Sequence, residues 1–166
     1  MNDTVRTLEV LHQRYAGMLF DKCVRVMGRT ADAEDAVQQT FINAFRGLPT
    51  FRDDGRGHLP WLYRIATNVC LRQIRAHRER GAASIDDHDV AATSQDPVEA
   101  LHARTILEQL SEVVDEKTMA IFIAHYVDGL GQGEIATELG ISRRAVVKRL
   151  TALRAKAGAI QGTEER

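Results

Sequence analysis

The sequence predicts an all-α protein made of two small helical domains joined by a flexible linker, the second being a helix-turn-helix domain of winged-helix-like type. Apolar residues recur at helical spacing in long segments that end at glycine or proline. A central stretch loses this periodicity and is rich in small and acidic residues. Near the C-terminal end, two short amphipathic segments meet at a glycine. Since 166 residues suffice for two small cores, we place the domains at 1–80 and 101–160 and the linker at 81–100.

The first two helices are predicted at Thr4–Met27 and Ala31–Leu48. Gly28 ends the first helix, and Pro49 ends the second because its ring stops a helix from continuing. Each helix has one apolar face, so the two are expected to share a core. The side chains predicted on these faces are Leu8, Leu11, Tyr15, Met18 and Leu19 in the first helix and Ala33, Val37, Phe41, Ala44, Phe45 and Leu48 in the second.

The third helix is predicted to begin at Pro60, after an exposed loop over Thr50–His58. One of its faces is apolar, while the opposite face collects four arginines and one asparagine, with Leu71 falling among them. Guanidinium groups suit phosphates and an amide suits a base edge, although a solvated arginine-rich face is the alternative. The basic face consists of Arg64, Asn68, Arg72, Arg75 and Arg78.

Charge is segregated along the chain, although the net charge is only −1. Residues 46–80 include eight basic and three acidic side chains, and residues 141–160 include six basic and no acidic ones. Between them, residues 81–117 include nine acidic and two basic side chains. Two basic blocks are the electrostatic footprint of phosphate binding, although a solvated helix face would explain either block alone.

Several other functions lack sequence support. Cys23 and Cys70 lie in apolar helical stretches without the spacing of a zinc site or a disulfide framework, so buried free thiols are expected. The six histidines form no metal-binding pair, and no nucleophile elbow or phosphate loop occurs. No apolar run approaches the ~18 residues needed to cross a bilayer. We therefore expect a cytoplasmic protein that is not an enzyme and needs neither a metal nor a cofactor.

The segment GEIATELGISRRAVVKRL has the features of a helix-turn-helix. Gly140 permits the left-handed turn, Ile141 fills the corner, and Ser142 caps the second helix. An ordinary helical hairpin is the alternative, but such hairpins rarely need this turn chemistry. The predicted inward side chains are Ile135, Ala136, Leu139, Ala145, Val146 and Leu150. The second helix would then present a basic outer face to the major groove of DNA.

With these motifs in order, the chain resembles a bacterial RNA polymerase sigma factor of the extracytoplasmic-function (ECF) class, which has regions 2 and 4 of the sigma-70 family joined by a linker. The resemblance is carried by DAEDAVQQTFINAFRGL, WLYRIATNVCLRQIRAHRER and HYVDGLGQGEIATELGISRRAVVKRL, which together cover most of residues 8–157. It implies core RNA polymerase and promoter DNA as partners. It also implies an anti-sigma protein, since members of this class are commonly held by one.

The resemblance assigns three groups of residues by position. Asp32, Glu34, Asp35, Gln38 and Gln39 would dock on the clamp helices of the largest polymerase subunit. Phe51, Arg64, Asn68, Arg72 and Arg75 would contact the minus-ten element, with the loop and Asn68 capturing an unstacked base. Ser142, Arg143, Arg144, Val147, Lys148, Arg149 and Thr151 would read the minus-35 element. Region 4 would also rest on the polymerase flap, and the linker would pass through the RNA exit path.

The sequence departs from the family pattern in two places. Leu110-Ser111 stands where the family usually has Leu-Pro, which alters the entry into region 4. Val147, Thr151 and Ala152 stand where polar or basic residues are more typical, so the minus-35 sequence should differ from common ones, and Val147 could touch a thymine methyl. Two alternatives stay open: a helix-turn-helix regulator that binds DNA without polymerase, and a sigma-like protein that binds partners but has lost promoter reading.

Overall fold

The computed structural model describes residues 3–80 and 107–164, the last six of them by backbone alone. The predicted linker, 81–100, lies outside these ranges. The predicted all-α class is confirmed, while the domain boundaries stay a prediction. The elements are α1 (Asp3–Met27), α2 (Thr30–Gly47), a 3-10 turn (Leu48–Thr50), α3 (His58–Glu79), α4 (107–113), α5 (Glu116–Tyr126), α6 (Gln132–Leu139) and α7 (Arg143–Glu164).

The helix boundaries follow the predicted turn chemistry to within about two residues. Gly28 ends α1 with a φ of 70°, a conformation that glycine adopts without a steric penalty. Pro49 lies in the 3-10 turn that follows α2, where its missing N–H is not needed. α3 begins at His58 rather than Pro60, because proline is tolerated anywhere in the first turn of a helix.

The two halves of the chain share one buried apolar cluster. Helices α1, α2 and α3 pack on one another, and α5 packs against α3. The cluster is therefore continuous from residues such as Leu19, Leu62 and Ala66 to residues of the C-terminal half, namely Leu107, Leu110, Met119, Ile123 and Leu153. A second, smaller cluster holds the helix-turn-helix together and consists of Ile121, Ile135, Ala136, Val146 and Leu150.

Three side chains lie elsewhere than their helical spacing suggested. Met18 and Phe45, predicted in the core, are 44% and 42% exposed. Each lies at the edge of the apolar stripe of its helix, and the neighbouring helices do not cover that edge. Leu71, which falls on the basic side of α3, is buried. This helix is therefore covered over more than half of its circumference.

The two cysteines are buried and free, as predicted. Cys23 on α1 and Cys70 on α3 lie in contact, and both side chains have no exposed surface. A hydrogen bond from Cys70, acting against burial, lowers the pKa of the Cys23 thiol. The same hydrogen bond, together with burial, raises the pKa of the Cys70 thiol well above its usual value.

Candidate nucleic-acid interface

The helix-turn-helix is set by the turn between α6 and α7. Gly140 adopts the left-handed conformation, with φ of 63° and ψ of 33°. The Ile141 amide donates to the Ala136 carbonyl at 3.1 Å, which closes the turn. Ser142 Oγ then accepts a hydrogen bond from the Ala145 amide at 3.2 Å and so caps α7. The predicted conformation of Gly140 and the predicted cap at Ser142 are both confirmed.

The first half of α7 has a buried side and a basic outer side. Val146 and Leu150 are buried in the small cluster, and Ala145 is half-buried beside them. On the opposite side, the exposed side chains are Arg143, Arg144, Val147, Lys148 and Thr151, with Ser142 just before them. Three cations at the start of one helix, free of ion pairs at 4 Å or less with the described residues, form a surface that suits a polyanion.

Arg149 differs from the other residues predicted to read the minus-35 element because its guanidinium group makes hydrogen bonds within the protein. Its Nη1 donates to the Asp115 carboxylate at 3.0 Å and to Thr118 Oγ1 at 2.8 Å. Asp115 is also the N-cap of α5, since its carboxylate accepts from the Thr118 amide at 2.9 Å. Burial alone would raise the pKa of Asp115, but the hydrogen bonds from Thr118 and the nearby Arg149 lower it overall.

The basic face of α3 is divided between solvent and the C-terminal half. Arg64 and Arg72 are exposed, and Asn68 is half-buried. Arg75 Nη1 lies 3.7 Å from Glu116 Oε2, and Arg78 Nη1 donates to Ser111 Oγ at 3.2 Å. The residues predicted to form this face do lie on one side of α3, and the end of that side that carries Arg75 and Arg78 faces Glu116 and Ser111 of the C-terminal half.

A cleft of about 690 Å³ separates this part of α3 from the helix-turn-helix. Tyr63, Arg64 and Asn68 line one wall, and Asp115, Arg149 and Ile141 are among the residues of the other. The structure thus brings Asn68, predicted for the minus-ten element, and Arg149, predicted for the minus-35 element, to the same cleft.

The loop before α3 carries an aromatic cluster. The Phe51 ring stacks on His58, with centroids 4.5 Å apart, and tilts against Trp61 at 4.7 Å. The Trp61 ring also packs closely against Gly47, where an added Cβ would lie only 3.2 Å from the ring. Flat aromatic rings beside arginines are suited to stacking with an unpaired base.

The backbone of this loop is shaped by Asp53. Its Oδ1 accepts from the amides of Gly55 and Gly57, both at 2.9 Å, and both glycines have positive φ. The loop borders a pocket of about 390 Å³. The side chains that line it include Phe51, Arg52, Asp54, Arg56, Trp61 and Arg64, together with Glu138 of α6. Burial raises the pKa of Glu138, and the neighbouring Arg56 opposes that rise.

The acidic residues at the start of α2 do not all face solvent. Glu34, Asp35 and Gln38 are exposed. Asp32 is turned inward, with Oδ1 3.7 Å from His77 Nε2 on α3 and Oδ2 near Arg29. Gln39, which is half-buried, donates to Asn43 Oδ1 at 3.1 Å. The predicted polymerase-docking group is thus divided into exposed and inward-facing members.

Some residues of these surfaces went unnoticed in the sequence. Trp61 joins Phe51 and His58, which both lie in the predicted base-capturing loop, and the scarcity of aromatics could have drawn attention to three rings so close together. Ile42, 46% exposed, also went unnoticed; together with Phe45, which was predicted in the core, it extends the exposed stripe of α2 that begins at Glu34. Their exposure depends on how α2 packs, which helical periodicity alone does not reveal.

Comparison with known proteins gives matches in both halves. Residues 11–80 match the family model for Sigma-70 region 2, and residues 104–156 match that for Sigma-70, region 4. The ECF RNA polymerase sigma factor SigL of Mycobacterium tuberculosis is 29% identical over 146 residues, which cover 86% of this chain and 82% of SigL.

A second relative and a solved structure agree with these matches. The RNA polymerase sigma factor NccH of Alcaligenes xylosoxydans xylosoxydans is 32% identical over 139 residues, which cover 78% of this chain and 73% of NccH. The structure of CnrH in complex with the cytosolic domain of CnrY aligns with a TM-score of 0.58 and 25% identity, covering 95% of this chain and 89% of CnrH.

Proposed function

The chain belongs to the sigma-70 family, as an ECF RNA polymerase sigma factor, and from this premise we propose how its residues divide the work of transcription initiation. One observation carries the proposal most directly. The chain presents a basic helix-turn-helix in one half and an aromatic pocket beside an arginine face in the other half. Duplex reading and capture of an unpaired base need these two kinds of surface.

We assign minus-35 recognition to the outer face of α7. Arg143, Arg144 and Lys148 would contact phosphates or base edges in the major groove, since they project from the first turns of the reading helix. Val147, 38% exposed at the centre of this face, would give an apolar contact to a thymine methyl. Ser142, Arg149 and Thr151 complete the surface, and Arg149 would first leave Asp115.

We assign minus-ten recognition to α3 and the preceding loop. A base that leaves the stack would find the rings of Phe51 and Trp61 at the pocket, with Arg64 at its rim. Asn68 has an amide able to donate to and accept from a base edge. Arg72 and Arg75 would continue along the strand as phosphate contacts.

We assign polymerase docking to the exposed stripe of α2. Glu34, Asp35 and Gln38 provide acidic and polar contacts, and Ile42 and Phe45 provide an apolar patch beside them. An exposed apolar pair with a polar surround is typical of a protein interface. Asp32 and Gln39, which make contacts within the protein, would orient this stripe rather than form its centre.

Membership of this family suggests the cellular compartment of the protein and one further partner. Among the described helices, none has the length and apolar character that crossing a bilayer requires. We propose that the protein acts in the cytoplasm, where RNA polymerase is found. The structure of CnrH in complex with the cytosolic domain of CnrY supports a second proposal, that a partner protein also binds this chain, and we propose that this partner is an anti-sigma protein.

Run-off transcription with purified core polymerase and genomic fragments tests the proposal. The protein should form a holoenzyme and start transcription at discrete sites. Asn68→Ala should impair open-complex formation more than duplex binding, while Gln13→Ala, an exposed change on α1, should alter neither. Failure to bind core polymerase, with DNA binding intact, would favour a regulator that acts alone. Polymerase binding without initiation on any fragment would favour loss of promoter reading.

A further inference from the structure

We propose that Cys23 and Cys70 form a redox modification site, at which hydrogen peroxide joins α1 to α3 through a reversible disulfide and thereby slows promoter opening. The disulfide itself depends only on the fold. Its effect on promoter opening rests on the proposed role of α3 in minus-ten recognition.

The two thiols meet where α1 packs against α3. Neither side chain has exposed surface, and both belong to the large apolar cluster. The Cys70 thiol donates a hydrogen bond to the Cys23 sulfur, so the two sulfurs are in direct contact. The sequence has no third cysteine that could compete for either one. A disulfide would therefore shorten a contact that the fold already makes, instead of requiring distant segments to meet.

The two thiols differ in acidity, which assigns them different roles. The hydrogen bond from Cys70 lowers the pKa of Cys23, although burial opposes this shift. The Lys22 ammonium also lowers that pKa, and the Asp128 carboxylate acts in the opposite direction. The same hydrogen bond, together with burial, raises the pKa of Cys70, which therefore keeps its proton. Since the thiolate is the nucleophile, Cys23 reacts first and Cys70 follows.

The reaction balances with hydrogen peroxide as the only co-reactant. The Cys23 thiolate attacks one peroxide oxygen and the O–O bond breaks, which leaves a sulfenic acid on Cys23 and releases hydroxide. The hydroxide takes up the proton that the Cys23 thiol lost and becomes water. The Cys70 sulfur then attacks the Cys23 sulfur, and the S–O bond breaks as the Cys70 proton leaves with the hydroxyl as a second water. A dithiol reductant restores both thiols by exchange.

Burial makes this site selective for a small oxidant. Both sulfurs are covered in the folded chain, so a reagent reaches them only when α1 and α3 move apart transiently. Hydrogen peroxide is small and uncharged, and it needs a narrower opening than a bulky alkylating reagent. Where thiols are kept reduced, the pair stays free until peroxide is present, as is usual for cytosolic disulfides with a redox role.

The disulfide would hold α3 from its buried side. Cys70 and Asn68 lie two positions apart on α3, which places them about 200° apart around the helix. Cys70 therefore faces α1, while Asn68 lines the cleft. A disulfide brings its sulfurs to about 2.0 Å, well inside their ordinary contact distance, so α3 should shift towards α1 by on the order of an ångström. Misplacement of that size can lower a rate by up to about 100-fold. Promoter opening should therefore slow.

Peroxide treatment of folded wild-type protein tests the disulfide. The intact mass should fall by that of two hydrogens, and peptide mapping should show a cross-link between Cys23 and Cys70 that dithiothreitol removes. Cys70→Ser should stop at the sulfenic acid, which dimedone traps on Cys23, whereas Cys23→Ser should give neither product. Because the wild type carries this test, its outcome does not depend on the folding of a variant. Absence of the cross-link in the wild type would overturn the proposal.

Thermal unfolding tests whether the fold accommodates the bond. The oxidised protein should melt about 5–10 °C higher than the reduced protein, since a disulfide with native geometry restrains the unfolded chain. Peroxide treatment of Cys70→Ser should not raise the midpoint. A lower midpoint for the cross-linked wild type would show that the bond forms only against the native packing, which would also overturn the proposal.

Initiation by oxidised and reduced protein tests the effect on promoter opening. The protein is oxidised alone and freed of peroxide before core polymerase is added, so that thiols of the polymerase are spared. Open-complex formation should fall by about tenfold, while duplex binding stays the same. Dithiothreitol given before the polymerase should restore it, and Cys70→Ser should behave alike with and without peroxide. Equal open-complex formation by cross-linked and reduced wild type would overturn the proposal.

The two proposals can fail separately. If the reduced protein supports run-off transcription but no cross-link between Cys23 and Cys70 forms, the redox site is overturned and the proposed function stands. If the cross-link forms but no form of the protein initiates transcription, the disulfide stands, while the proposed function and the effect on promoter opening fail together.

Discussion

The basic face of α7 and the basic face of α3 were predicted by the same reasoning, yet they have different surroundings. On α7, Arg143, Arg144 and Lys148 project into solvent. On α3, Arg75 and Arg78 contact the C-terminal half, and Asn68 is half-buried. Helical periodicity determines which side chains share a face, but a second element decides whether that face is available. Four predictions test this difference, from the largest expected effect to the smallest.

The shared core should unfold as one unit. Leu19→Ala removes a side chain with no exposed surface and should lower the free energy of unfolding by about 2–5 kcal/mol. Denaturant unfolding followed by circular dichroism, and by fluorescence of the single Trp61 in the N-terminal half, should give one coincident transition. Val10→Ala, at a position 57% exposed, is the control and should change stability by less than about 0.5 kcal/mol. Two separate transitions would show that the halves do not share a core.

The turn of the helix-turn-helix should require glycine. Gly140→Ala places a Cβ at a φ of 63° and should destabilise the protein by about 1–2 kcal/mol. Affinity for promoter duplex should fall with it, because α7 would lose its position. Gly133→Ala, in α6 with open space around the site, is the matched control and should stabilise slightly, by roughly 0.5–1 kcal/mol. Equal effects at the two glycines would argue against the strained turn.

The free face of α7 should contribute to binding and not to folding. Arg144→Ala should leave the unfolding free energy within about 0.5 kcal/mol of wild type. If Arg144 contacts a phosphate, the slope of log affinity for promoter duplex against log salt concentration should fall by about one. Arg14→Ala, an exposed change on α1, should leave that slope unchanged. A large loss of stability in Arg144→Ala would show that this face is not free.

The contact between Asp115 and Arg149 should give a small dependence of stability on pH. Because the pKa of Asp115 is lowered in the folded protein, its charge stabilises the fold above the unfolded pKa of about 3.9. This contribution disappears as the pH falls through the lower, folded value. Asp115→Asn keeps a capping oxygen but removes the charge. Its stability should therefore lie below wild type at neutral pH and approach it in acid, as measured by denaturant unfolding; a constant difference would contradict the prediction.

Much of the fold could be predicted because local chemistry determines it. Gly28, Pro49 and Gly140 mark boundaries through their own backbone preferences, and Ser142 caps the helix that follows it. The candidate site was only partly predictable, because Arg149 and Asp115 are 34 residues apart and Arg78 and Ser111 are 33 apart. Phe45 is exposed although its spacing predicts a core position, because spacing cannot show how far a neighbouring helix extends.

The buried thiols of Cys23 and Cys70 can report how often the helices around them separate. Since neither sulfur is accessible in the folded chain, a thiol reagent can react only when the helices that cover them move apart. The rate of modification would then measure how often α1 and α3 separate. Comparing the modification rate with and without polymerase or DNA would show which partner suppresses separation of α1 and α3. The measurement needs no engineered label, since both thiols are native.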